Sequence, residues 1–84
     1  MNEKQKIEEI KNKLTEFDIP TICGINKEQL KEFNIEKLVQ ESKKYNIKCI
    51  YKEEEIKQVQ KITKLKKFYT GVIFYLDKYS KFYI

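Results

Sequence analysis

The chain contains no arginine, histidine, alanine or tryptophan. Each absence removes a class of chemistry. Without histidine there is no imidazole general base, no Ser–His or Cys–His dyad and no histidine-containing zinc site. Without arginine no planar guanidinium can grip a phosphate, a carboxylate or a guanine edge with two parallel bonds. Cysteine is scarce too: Cys23 and Cys49 are the only two, and neither belongs to a CxxC pair. Two thiols without histidine do not complete a four-ligand zinc site. In a reducing compartment they are expected to be buried as small hydrophobes. No apolar run approaches the ~20 residues that span a bilayer. The first six residues, Met1-Asn2-Glu3-Lys4-Gln5-Lys6, are polar and do not resemble a signal peptide. The expectation is a cytoplasmic protein with no membrane contact, no metal and no cofactor.

What is present is mostly lysine and large apolar side chains. All 18 basic residues of the 84 are Lys, and with 13 acids the formal charge is +5. Lys, Ile, Asn, Tyr and Phe make up 46 of the 84 residues. All five are served by A/T-rich codons, so genome composition, as in an A/T-rich bacterium, plasmid or phage, accounts for the lysine excess. A hydrophobic share of 40% places the chain in the globular range, and its length suits one compact domain over residues 1–84.

Periodicity divides the chain into elements. Ile7, Ile10, Leu14 and Phe17 form one helical stripe over residues 3–17, ended by Asp18-Ile19-Pro20. A short strand is predicted over 19–23. Asn26 and Gln29 have capping-box spacing for a second helix, and Asn34 caps a third with Ile35, Leu38, Val39 and Tyr45 inward. Asn46 ends that helix, and Ile47–Tyr51 reads as a strand, placed as a parallel neighbour of 19–23 across a right-handed crossover. Residues 53–67 form a helix whose polarity suits its dipole: Glu53, Glu54 and Glu55 at the start, lysines at the end. Val72–Leu76 is an unbroken apolar strand, as expected of one covered on both faces. Residues 77–80 read as a turn and 81–84 as a returning strand, with Phe82 and Ile84 on one buried face. The fold class is therefore α/β or α+β, in the order α-β-α-α-β-α-β-β. It has a three- or four-stranded sheet packed against helices and a C-terminal β-hairpin. The expected core includes Ile7, Ile10, Leu14, Phe17, Ile22, Leu30, Leu38, Ile50, Ile62, Val72, Phe74 and Leu76.

Charge is unevenly placed. Residues 1–41 hold 7 Lys and 9 acids, whereas residues 42–84 hold 11 Lys and 4 acids. Nine of the 11 aromatic residues lie in that second, basic part. Lysines beside aromatic rings suit single-stranded nucleic acid, the ammonium groups tracking phosphates and the rings stacking on bases. The candidate nucleic-acid-binding residues are Lys57, Lys61, Lys64, Lys66, Lys67, Tyr69, Lys78, Tyr79 and Lys81. Against this stands the plainer possibility that the rings are core and the lysines a solvated face. Gly24, between a strand and a helix start near Lys27, has the outline of an anion site, but one glycine is far from a phosphate-binding loop. Asp18 with Glu55-Ile56-Lys57 can be drawn as a D…ExK metal-nuclease pattern; the ExK triplet lies on a charged helix rather than at the end of a buried strand. With no catalytic set, the expectation is a non-enzymatic binding protein that contacts nucleic acid or a nucleoprotein. The alternative is a small phage- or mobile-element-type inhibitor that blocks a host nuclease or regulator through a protein–protein interface. An exposed patch of Tyr and Ile away from the lysine stripe favours the second.

Overall fold

The computed structural model describes residues 2–63 and 69–83, the side chains of 62 and 63 excepted. Their order is α1 (Glu3–Thr15), β1 (Ile22–Ile25), α2 (Lys27–Leu30), α3 (Ile35–Lys44), β2 (Ile47–Ile50), α4 (Glu53–Thr63), β3 (Val72–Leu76) and a 3-10 helix (Asp77–Phe82). This is a small α+β domain with helices packed on a three-stranded antiparallel sheet.

Local sequence explains most boundaries. Asn2 starts α1 with a reciprocal capping box: its side chain accepts from the Gln5 N–H at 2.8 Å, and the Gln5 side chain accepts from the Asn2 N–H at 3.1 Å. The helix stops at Thr15, whose hydroxyl donates back to the Lys11 carbonyl at 2.8 Å. Phe17, expected in the core, is 62% exposed, because residues 16–19 bend ahead of Pro20 and carry this position off the helical stripe. Asn34 caps α3 through the Lys37 N–H at 3.3 Å, and its own N–H donates to Glu3 Oε2 at 3.0 Å. Asn46 adopts a left-handed φ of 56°, which asparagine tolerates better than most residues; it ends α3 and turns the chain into β2.

The box expected at Asn26 does not form. The Asn26 side chain instead accepts from the Thr70 N–H at 3.4 Å, and the Thr70 hydroxyl accepts from the Lys27 N–H at 3.1 Å. A distant residue closes the start of α2 and takes a backbone donor that an anion would need.

The sheet order is β1-β3-β2, with both outer strands antiparallel to β3. The expected parallel pairing of β1 and β2 is thus corrected: they run in the same direction, but β3 lies between them. β3 takes the centre because it is the strand apolar on both sides. Val72 and Phe74 pack with Ile7, Ile10, Leu14 and Leu38 of α1 and α3, while Ile73 and Tyr75 pack with Ile56 and Val59 of α4. The predicted fourth strand is a 3-10 helix instead. The Ser80 hydroxyl donates to Asp77 Oδ1 at 3.0 Å, and the Tyr83 ring meets the Tyr75 ring at 4.7 Å, so the chain folds across the α4 face of the sheet. Phe82, expected to be buried, is 55% exposed. Residue 84 lies outside the described residues.

Of the expected core, Ile7, Ile10, Leu14, Leu38, Val72 and Phe74 are buried, and Ile22, Leu30, Ile50 and Leu76 are partly buried against it. The Ile62 side chain lies outside the description. Cys23 and Cys49 both stand opposite Phe74, on opposite sides of β3. Two strand spacings separate them by roughly 10 Å, beyond disulfide reach, and both are free thiols. No helix among the described residues is long and apolar enough to cross a membrane.

Candidate functional site

The residues singled out for nucleic acid fall on several elements. Lys57 and Lys61 belong to α4, and Lys78, Tyr79 and Lys81 to the 3-10 helix; both elements cover the same sheet face. Lys64, Lys66 and Lys67 lie outside the described residues. Lys57 pairs with Glu53 at 3.6 Å. Lys78 pairs with Asp18 at 3.5 Å and lies 5.0 Å from the Tyr79 ring centre. Lys61 and Lys81 are exposed. The aromatic rings are largely committed elsewhere. Tyr75 is fully buried, Tyr83 is 6% exposed, and Tyr69 and Tyr79 pack against the same cluster. The Tyr69 ring lies over Gly24, occupying the space that a side chain there would need. Tyr79 donates to Asp18 at 3.3 Å, which also engages the aspartate of the D…ExK pattern. Among the described residues no group of three Cys, Asp or Glu side chains could hold a metal ion.

A different surface emerges at β2. As an outer strand it pairs with β3 on one side and with no strand of the described residues on the other. Asp77 N–H donates to the Asn46 carbonyl at 2.8 Å, directly opposite in the continued register. Antiparallel pairs alternate, so Lys48 and Ile50 also direct their backbone groups at β3. Ile47 and Cys49 therefore direct their N–H and C=O groups away from the sheet.

Hollows flank this edge on both faces. On the α3 side a hollow of about 280 Å³ is lined by Val39, Ser42, Lys43, Lys48 and Cys49 among others. On the α4 side one of about 360 Å³ is lined by Lys48, Cys49, Ile50, Glu55, Val59 and Tyr83 among others. A third, of about 520 Å³, shares Val39 and Lys43 with the first and adds Ile35 and Tyr51. Shared residues join the three into one surface running over the β2 edge. Tyr51 is 46% exposed there.

Cys49 is the thiol on this surface, and burial pushes it up to about 12, opposed by a hydrogen bond with Ser42. Such a thiol stays protonated and unreactive at neutral pH. Lys43 is exposed, and Lys48 stands 4.0 Å from Asp77.

Sequence reasoning missed this surface because it placed the second strand beside the first. One signal was available: Lys48 interrupts an otherwise apolar strand, as lysine does on the exposed edges of natural sheets. No family model, no curated protein and no solved structure matches this chain.

Proposed function

We propose that this protein is a small non-catalytic binding module that engages a protein partner through the surface over the β2 edge. The observation that carries this reading is the union of three hollows around an uncovered strand edge, with Ile35, Val39 and Tyr51 among their linings. Hot-spot residues of protein interfaces are enriched in such clustered, partly enclosed aromatic positions. Blocking a host nuclease or regulator is one activity that such a surface would support. Base stacking by Tyr69 and Tyr79 has less support, since both rings pack against the cluster around Ile73 and Tyr75.

Affinity capture at physiological salt, with nuclease treatment, tests this reading. The expected result is a stoichiometric protein that survives the nuclease. Recovery of nuclease-sensitive material alone, with binding that falls steeply in salt, would replace it with the nucleic-acid reading. Lys61 and Lys81, both exposed, are where that reading would begin.

A further inference from the structure

We infer that the β2 edge accepts an extended, acidic segment of the partner, which adds to the sheet as a fourth strand beside β2. This rests on the protein-interface reading above and narrows it to one mode of recognition. Three observations lead there.

The outward N–H and C=O groups of Ile47 and Cys49 have no strand partner among the described residues; Cys49 is partly exposed, whereas Ile47 is only 4% exposed, so the segment approaches from the Cys49 end. An added strand supplies them in the required spacing, as in other cases of strand addition. The hollows on the two faces of the edge then fit the pleat, because successive side chains of an extended segment point alternately to the α3 side and the α4 side.

Charge selects the occupant. Lys43 and Lys48 line the α3-side hollow with one acid, Asp77; Lys48 stands 4.0 Å from that acid, and Lys43 is in no ion pair among the described residues. β2 lies within residues 42–84, where 11 Lys outnumber 4 acids. An acidic side chain suits this hollow. On the other face Ile50, Val59 and Tyr83 favour an apolar one, and Glu55 there disfavours a second acid. The recognised pattern is thus acidic and β-branched residues in alternation.

A second copy of this chain fits poorly. Antiparallel pairing of two β2 edges about a two-fold axis sets either Lys48 against Lys48 or Cys49 against Cys49, and neither register supplies an acid. Like charges directly opposite one another are destabilising.

The test is selection from a random dodecapeptide display library on the immobilised protein at low salt. Enriched peptides are expected to alternate acidic with β-branched residues. Their binding should fall roughly tenfold with Lys43→Glu, which reverses an exposed charge. It should also fall with Cys49→Pro, which removes an outward N–H while leaving the β3 ladder its bonds. Circular dichroism checks that both variants fold, and Lys43→Glu decides the matter if Cys49→Pro does not. Basic or proline-rich peptides, no enrichment over an unrelated protein, or equal binding to Lys43→Glu would overturn the inference. So would a dimer in light scattering that is lost with Lys48→Glu or Cys49→Pro. A partner captured equally by the wild type, Lys43→Glu and Cys49→Pro would leave the interface reading standing and remove strand addition from it.

Discussion

Gln60 and Tyr69 bond each other twice: the Gln60 side-chain amide donates to the Tyr69 carbonyl at 3.0 Å and accepts from the Tyr69 N–H at 3.1 Å. A buried side chain on α4 thus does for one residue what a neighbouring strand would do. It fixes the chain as it returns toward β3 and holds the Tyr69 ring over Gly24. Replacing Gln60 by Leu removes both of these bonds to Tyr69. The expected cost is about 1–3 kcal/mol, read as a lower urea midpoint with an unchanged slope.

Gly24 and Tyr69 should prove strongly coupled. A methyl at position 24 would collide with the Tyr69 ring, so Gly24→Ala should destabilise by about 1–3 kcal/mol. In a Tyr69→Ala background the same change should cost much less. A double-mutant cycle with no coupling between the two would show that the ring yields freely.

Stability should decline in alkali. Burial raises the Cys49 thiol from the ordinary 9.0 to about 12 and also raises Tyr69, Tyr75 and Tyr83 above the ordinary 10.0. A group whose acid form is favoured by folding binds more protons in the native state than in the unfolded one. The contribution of these groups is therefore fully present below pH 9 and is lost as pH rises toward 12. Cys49→Val should make the decline shallower at its onset, as measured by urea unfolding across that range. The same burial predicts that Cys49 resists iodoacetamide at pH 8 until the protein is unfolded.

Asn34 joins two helices. It caps α3 and donates its own N–H to Glu3 at the start of α1. Asn34→Ala should cost about 1 kcal/mol through the lost cap. The Asn34 N–H also holds the Glu3 carboxyl below its ordinary 4.5. That contribution is present above the ordinary value and lost as pH falls through the lowered one. Glu3→Gln should flatten the acid limb of the stability profile, followed by circular dichroism at decreasing pH.

The sequence made local structure legible and long-range pairing illegible, for physical reasons. The Ile7–Ile10–Leu14 stripe and the asparagines at 34 and 46 act within a few residues, so α1, α3 and β2 were readable in advance. Strand order depends on which strand buries both faces. Val72–Leu76 displayed that property, but the consequence that it must separate β1 from β2 required seeing all three together. The segment after Leu76 misled because its aromatics suit a strand, whereas Asp77 and Ser80 close a tighter turn on each other. The candidate surface inherited the error in strand order. An edge is defined by what is missing beside it, and no residue type records that directly.

The position of β3 has a consequence for the order of folding. Its two neighbours precede it in the chain, and the α1–α3 face of the sheet is built around Val72 and Phe74. During synthesis, β1 and β2 must therefore wait unpaired until the last strand emerges. Every sheet contact then forms across long loops, and such non-local closure slows folding. A ribosome stalled before Val72 would hold a chain with helices available and two strands without a common partner. Pulse proteolysis of such stalled chains should find them cleavable up to that point and abruptly resistant once residues 72–76 are free.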